Sequence, residues 1–121
     1  MPKKLTPQER AWRVVKEKDL QSRLIHVAEM YGWKVAHFAD SRRQVAPGRF
    51  VGDSQAKGFP DLVLARGCEL LAWELKREVN APVSAEQEEW LRVLGQAGVE
   101  ARVVRPSNED ACVSRLQQVR R

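Results

Sequence analysis

The sequence predicts an α/β domain in which helices flank a mixed central sheet of about four strands. Three observations lead there. Two capping boxes, Thr6-Pro7-Gln8-Glu9 and Ser84-Ala85-Glu86-Gln87, open helical patterns. Two apolar segments on either side of Arg66-Gly67 read as a hairpin. A strand pattern over residues 99–104 follows the second helix, so it can return parallel to its neighbour through that helix.

Taken in order, the first helical pattern runs from Thr6 to about Tyr31, where Gly32 ends it. Leu20, Leu24, Val27, Ala28 and Tyr31 form one apolar stripe along it. Trp12 and Val15 lie off that stripe, so residues 6–15 are either a separate helix or face a different partner. Residues 33–38 read as a strand. Residues 40–58 read as a loop, basic because Arg42, Arg43, Arg49 and Lys57 outnumber Asp53. Strands follow at 60–65 and 70–76, then the second helix to about Ala97 with Gly98 as its stop. After the strand at 99–104, Pro106-Ser107-Asn108-Glu109-Asp110 opens a last helix. Cys112 or Val113, Leu116 and Val119 fall on its inner side. Arg115, Arg120 and Arg121 read as surface charges, and the four tryptophans as core or dimer-interface residues.

A chain of 121 residues fits one domain, read as a core over residues 16–119 with residues 1–15 as an extension. No apolar run approaches a membrane span, and Met1-Pro2-Lys3-Lys4-Leu5 lacks the apolar core of a signal peptide, so a cytosolic protein is expected. Cys68 and Cys112 stand far apart without a Cys-x-x-Cys or Cys/His cluster, which argues against zinc and leaves two inert thiols. The net charge of +5 favours a polyanionic partner, a weak signal by itself.

The chemistry centres on Asp61 and on Glu74-Leu75-Lys76. Alternation along a strand points Glu74 and Lys76 to one face and Trp73 and Leu75 to the other. Asp61, near the start of the paired strand, is within reach across the hairpin. Two carboxylates suffice to hold a hard divalent cation, which keeps several of its waters. A lysine beside them could orient an attacking water or stabilise charge on phosphorus. Alone, the pattern fits equally a solvated sheet face carrying a cross-strand salt bridge.

Three features favour the catalytic reading. The flanks of Glu74 are apolar, so a charge there needs compensation. Glu17 stands three residues before Leu20 and seven before Leu24, which aims it at the sheet as a third carboxylate; a place at the helix edge is the alternative. Gln87 stands three, four and seven residues before Trp90, Leu91 and Leu94, on the inner side of its helix, where it can also complete the capping box with Ser84. His37 is either a phosphate contact or a structural residue at a strand end. Ser41, Arg42, Arg43, Arg49 and Lys57 form either a phosphate-binding rim or a solvated loop.

These residues also occur as an ordered series. Glu17-Lys18-Asp19-Leu20-Gln21, Gly32-Trp33-Lys34-Val35-Ala36-His37, Lys57-Gly58-Phe59-Pro60-Asp61-Leu62, Trp73-Glu74-Leu75-Lys76, Ser84-Ala85-Glu86-Gln87 and Arg105-Pro106-Ser107 resemble the VRR-NUC domain, a branch of the PD-(D/E)xK nucleases. The resemblance spans roughly residues 16–119. It implies a restriction-endonuclease-like core and cleavage of DNA phosphodiesters with Mg²⁺ or Mn²⁺. On that analogy Glu17, Asp61 and Glu74 are the acidic metal-site residues, Lys76 assists the attacking water, and Gln87 is an accessory polar residue. It further implies the stand-alone kind common in phages, selective for branched DNA and often dimeric, as in DNA repair. Two rivals stay open: a DNA-binding module that kept the fold without the chemistry, and a nuclease directed at RNA.

Overall fold

The computed structural model describes residues 4–38, 43–46, 49–51 and 56–119, the side chains of 43–46 and 49–51 excepted. Thr6 caps helix α1 (Pro7–Val14) as expected, its side chain accepting a hydrogen bond from the Glu9 amide at 3.0 Å. The long helical pattern divides here. Val15 and Lys16 are both extended, and α2 (Glu17–Met30) starts afresh. Consecutive β-branched Val14 and Val15 disfavour continuation, and the break turns Trp12 and Val15 independently of the α2 stripe. Helix α1 contacts a 3-10 turn at Pro106–Asn108.

The central sheet contains β1 (Lys34–His37), β4 (Leu62–Arg66), β5 (Glu69–Leu75) and β6 (Glu100–Val104), in the order β1-β4-β5-β6. The first three run antiparallel to one another, and β6 returns parallel to β5 after helix α3 (Ala85–Gln96). The hairpin turn falls at Gly67-Cys68, one residue later than the sequence suggested. Gly67 adopts φ +59° there, which a side chain would resist. Residues 43–46 and 49–51 form a separate two-stranded sheet, β2 (Arg43–Ala46) with β3 (Arg49–Val51), where a loop was expected. The signal was the Pro47-Gly48 dipeptide between two short segments, a turn marker outweighed by the surrounding polar residues.

One face of the sheet carries the core. Leu62, Leu64, Leu71, Trp73, Leu75 and Val104 pack there against Leu20, Leu24 and Ala28 of α2 and against Cys112 and Leu116 of helix α4 (Glu109–Gln117). Helix α3 lies against β5 and β6. The last helix opens with the 3-10 turn and stops at Gln117, so Val119 falls outside it and is 73% exposed, contrary to the expected inner position. Among the described residues no helix is long and apolar enough to cross a membrane.

Arg115 is the other departure. It is only 6% exposed, donating to Glu69 at 2.9 Å and to Glu100 at 2.7 Å beside the Trp33 ring. Helical spacing marked its neighbours as apolar and left it outside; the two acidic partners come from β5 and β6, invisible to local periodicity. Replacing Arg115 by Ala removes the cation that joins Glu69 to Glu100, although Arg66 still pairs with Glu69 at 3.1 Å. The expected cost is about 2 kcal/mol, read from urea unfolding; a loss under about 0.5 kcal/mol would show that the cluster contributes little.

Candidate active site

The strand register assembles the site. Leu62 pairs with His37 on one side and Trp73 on the other, so Asp61, one position earlier, lies opposite both Phe38 and Glu74. The backbone agrees, the Phe38 amide donating to the Asp61 carbonyl at 2.8 Å. Residues directly opposite in a ladder share a face, with Cβ atoms about 5 Å apart. Asp61 and Glu74 are therefore neighbours on the face opposite the core. Trp73 and Leu75 point into the core.

Both carboxylates are held. Asp61 Oδ2 accepts the Leu75 amide at 2.7 Å, and Glu74 Oε1 accepts from Gln87 Nε2 at 3.0 Å. The amide of Gln87 cannot turn over. Its oxygen accepts the Ser84 backbone N–H at 2.9 Å while its own backbone N–H donates to Ser84 Oγ at 3.1 Å, so the capping box aims its NH₂ at Glu74. The capping and inward roles of Gln87 coexist. Gly58 brings the Asp61 segment against the same first turn of α3. With φ +85°, a Cβ there would lie 2.6 Å from the Glu86 carbonyl carbon.

Glu74 is 3% exposed, and its Oε2 is buried without a hydrogen-bond partner. Burial, and then the charge of Asp61 beside it, push its carboxyl up to about 9. Burial first and Asp61 second also raise Glu17, the opening residue of α2, and the charges of Lys76 and Arg77 act the other way. Lys76 acts in the same sense on Glu74. Its amide donates to the Val104 carbonyl at 2.9 Å, prolonging the pairing with β6 past the end of β5.

Asp61, Glu74 and Gln87 thus meet at one end of the sheet, with Glu17 and Lys76 within electrostatic range of them. A buried orphan carboxylate oxygen beside a second carboxylate is a donor set suited to a hard divalent cation. Among the described residues no three acidic, His or Cys side chains form a ready-made metal cage, so the built part is the Asp61–Glu74 pair. Lys57 pairs with Glu86 at 3.4 Å. Ser41 and Arg42 lie outside the described residues; Arg43 and Arg49 are on β2 and β3, their side chains likewise outside. His37 Nδ1 is 3.3 Å from Gln21 Nε2, a contact with α2. The residues missed from sequence are Phe38, opposite Asp61, and Arg77, which acts on Glu17. Their signal was adjacency to predicted site segments, with no pattern to select them.

A mixed four-stranded sheet flanked by helices, with Asp and Glu-x-Lys at its end, has the restriction-endonuclease-like arrangement. The model of the VRR-NUC domain matches residues 3–108, a span that includes α1, and the chain belongs to that family. Membership makes it a nuclease-type protein with a DNA-related role. No curated protein and no solved structure matches it at significance.

Proposed function

We propose that this protein is a divalent-metal-dependent endonuclease that hydrolyses DNA phosphodiester bonds, with branched DNA such as four-way junctions or flaps as its preferred substrate. The observation that carries the reading is the unpartnered, buried Oε2 of Glu74 beside Asp61. An acidic pair of this kind, next to phosphates that repel it, has no use in a protein that only binds DNA, which disfavours the non-catalytic alternative.

Asp61, Glu74 and Glu17 would hold Mg²⁺, or Mn²⁺ in its place. Such a cation, when bound, neutralises charge on the phosphate and acidifies water. Gln87 keeps Glu74 in one orientation. Lys76 orients the attacking water and stabilises charge developing on the phosphoryl oxygens. Ser41, Arg42, Arg43, Arg49 and Lys57 would contact the DNA backbone and set its register. The chain is read as one nuclease unit, residues 16–119 its core and 1–15 an extension. It would act in the cytosol of a bacterium or phage-infected cell. A homodimer matches the two-fold symmetry of a four-way junction; light scattering that finds only monomer, free and on DNA, would refute that part.

The test is incubation of four-way junction, flap, duplex and single-stranded DNA, with RNA counterparts, in Mg²⁺, Mn²⁺ and EDTA. Cutting of branched DNA that needs the cation and disappears in Asp61→Ala is expected. Full activity of that variant, or cutting in EDTA, removes the assignment.

A further inference from the structure

We infer that Phe38, backed by Phe59 and Trp90, is a stacking platform for an unpaired nucleobase flanking the phosphate held at Asp61 and Glu74. The inference rests on the nuclease reading of that site and deepens it, because it names the substrate class: DNA with an unpaired nucleotide beside the cut, in preference to continuous duplex.

The register places Phe38, Asp61 and Glu74 in one row on one face of the sheet. A phosphate at the two carboxylates therefore presents its adjoining nucleoside next to the Phe38 ring. That ring, one residue past the end of β1, is 48% exposed. It does not stand alone. Phe38 meets Phe59 edge to face at 5.5 Å, and Phe59 meets Trp90 at 5.0 Å and 81°. Two further aromatic rings thus brace its position. Phe59 is fixed in turn because Gly58 packs directly on the first turn of α3.

Charge decides which part of a nucleotide meets this row. The shallow groove beside Trp90 is lined by Glu86 and Glu89 along with Lys57 and Ala85, and Lys57 is paired with Glu86. The groove is thus net acidic and would hold a phosphate only through Lys57. At the carboxylates themselves Lys76 and Arg77 supply positive charge, felt by Glu17. A strand crossing the site therefore keeps its backbone at the carboxylate end of the row and turns a base toward Phe38. The base must be free of its duplex stack to offer a π-face, and any of the four bases can do so.

The experiment uses the whole chain and a flap oligonucleotide with 2-aminopurine as the first unpaired base at the branch. It is run at low salt with Ca²⁺ in place of Mg²⁺, a hard cation that can bridge phosphate and carboxylates, under conditions where a gel shows no cutting. Protein is added until anisotropy of the same oligonucleotide is saturated. Stacking on Phe38 should quench the fluorescence several-fold. Phe38→Leu, which keeps apolar volume and the fold, should leave it bright, and Phe38→Trp should restore the quench, while duplex affinity in each variant stays within about twofold. A quench unchanged in Phe38→Leu, or none at saturation with 2-aminopurine at any unpaired position, overturns the inference. So does a dimer that dissociates in Phe38→Leu with parallel loss of duplex binding, because the ring would then be a contact between copies. Phe38-dependent quenching without cutting of any substrate in Mg²⁺ or Mn²⁺ removes the nuclease reading and leaves the platform; cutting without it does the reverse.

Discussion

Glu74→Gln should lower the cleavage rate by about 10³-fold or more and, at the same time, raise the melting temperature of the metal-free protein at pH 8. The first effect follows from removing one of two groups proposed to hold the cation, whose contribution to the transition state is of the order of 4 kcal/mol. The second follows from the site itself. In the free protein a buried carboxyl with an unpartnered oxygen faces Asp61, and both burial and that neighbour disfavour its charge. The Gln amide keeps an acceptor for Gln87 and supplies a donor toward Asp61 without having to take up a proton on folding at pH 8. A gain of at least ~1 kcal/mol, or ~3 °C and more, is expected.

The pH dependence has a definite sign. The Glu74 carboxyl titrates near 9 in the folded chain and near 4.5 when unfolded, so the stability it contributes is complete below pH 4.5 and is lost as pH rises through 9. The wild-type melting curve should therefore coincide with that of Glu74→Gln near pH 4.5 and fall progressively below it up to about pH 9. Added Mn²⁺ should close the gap in the wild type by binding only the folded form, and should do so far less in the variant. Scanning calorimetry across pH with and without Mn²⁺ measures all three. A variant less stable than wild type at pH 8 without metal would mean that the hydrogen bond between the protonated Glu74 carboxyl and Asp61 outweighs the cost of keeping that carboxyl protonated.

Lys76→Ala should reduce cutting by about 10²-fold while DNA affinity changes by less than about threefold. Lys76 acts electrostatically on both Glu74 and Glu17, so its ammonium lies within range of the acidic residues. Its backbone is fixed by the Val104 carbonyl, and Arg105 ties down the next residue by donating to the Arg77 carbonyl at 2.7 Å. Deletion of the side chain should therefore leave the strand end in place. Single-turnover cutting alongside anisotropy separates the two roles. Equal losses of cutting and binding would reassign Lys76 to anchoring the substrate.

The contrast between Gln87 and Phe38 shows how far the sequence could be read. Gln87 was legible because two local rules converge on it, helical spacing to Trp90 and Leu91 and the capping box with Ser84, each contained within a few residues. Asp61, Glu74 and Lys76 were legible as a set because strand alternation assigns faces along one strand. Phe38 was not. Its importance depends on the register between β1 and β4, and slipping that pairing by one residue would turn it to the opposite face. Arg115 failed for the same kind of reason, since Glu69 and Glu100 reach it from two strands remote in sequence.

The sequence by itself determined the α/β class, the four strands of the main sheet, the starts of α1 and α3 and the family to which the chain belongs. Caps, turn residues and apolar periods act over one or two turns of chain, so they are written locally. Tertiary structure alone decided that Asp61 faces Glu74, that one oxygen of Glu74 is buried without a partner, and that an aromatic row adjoins them. Those facts depend on strand register and layer packing, which arise from burial summed over the whole sheet and are encoded by no single segment.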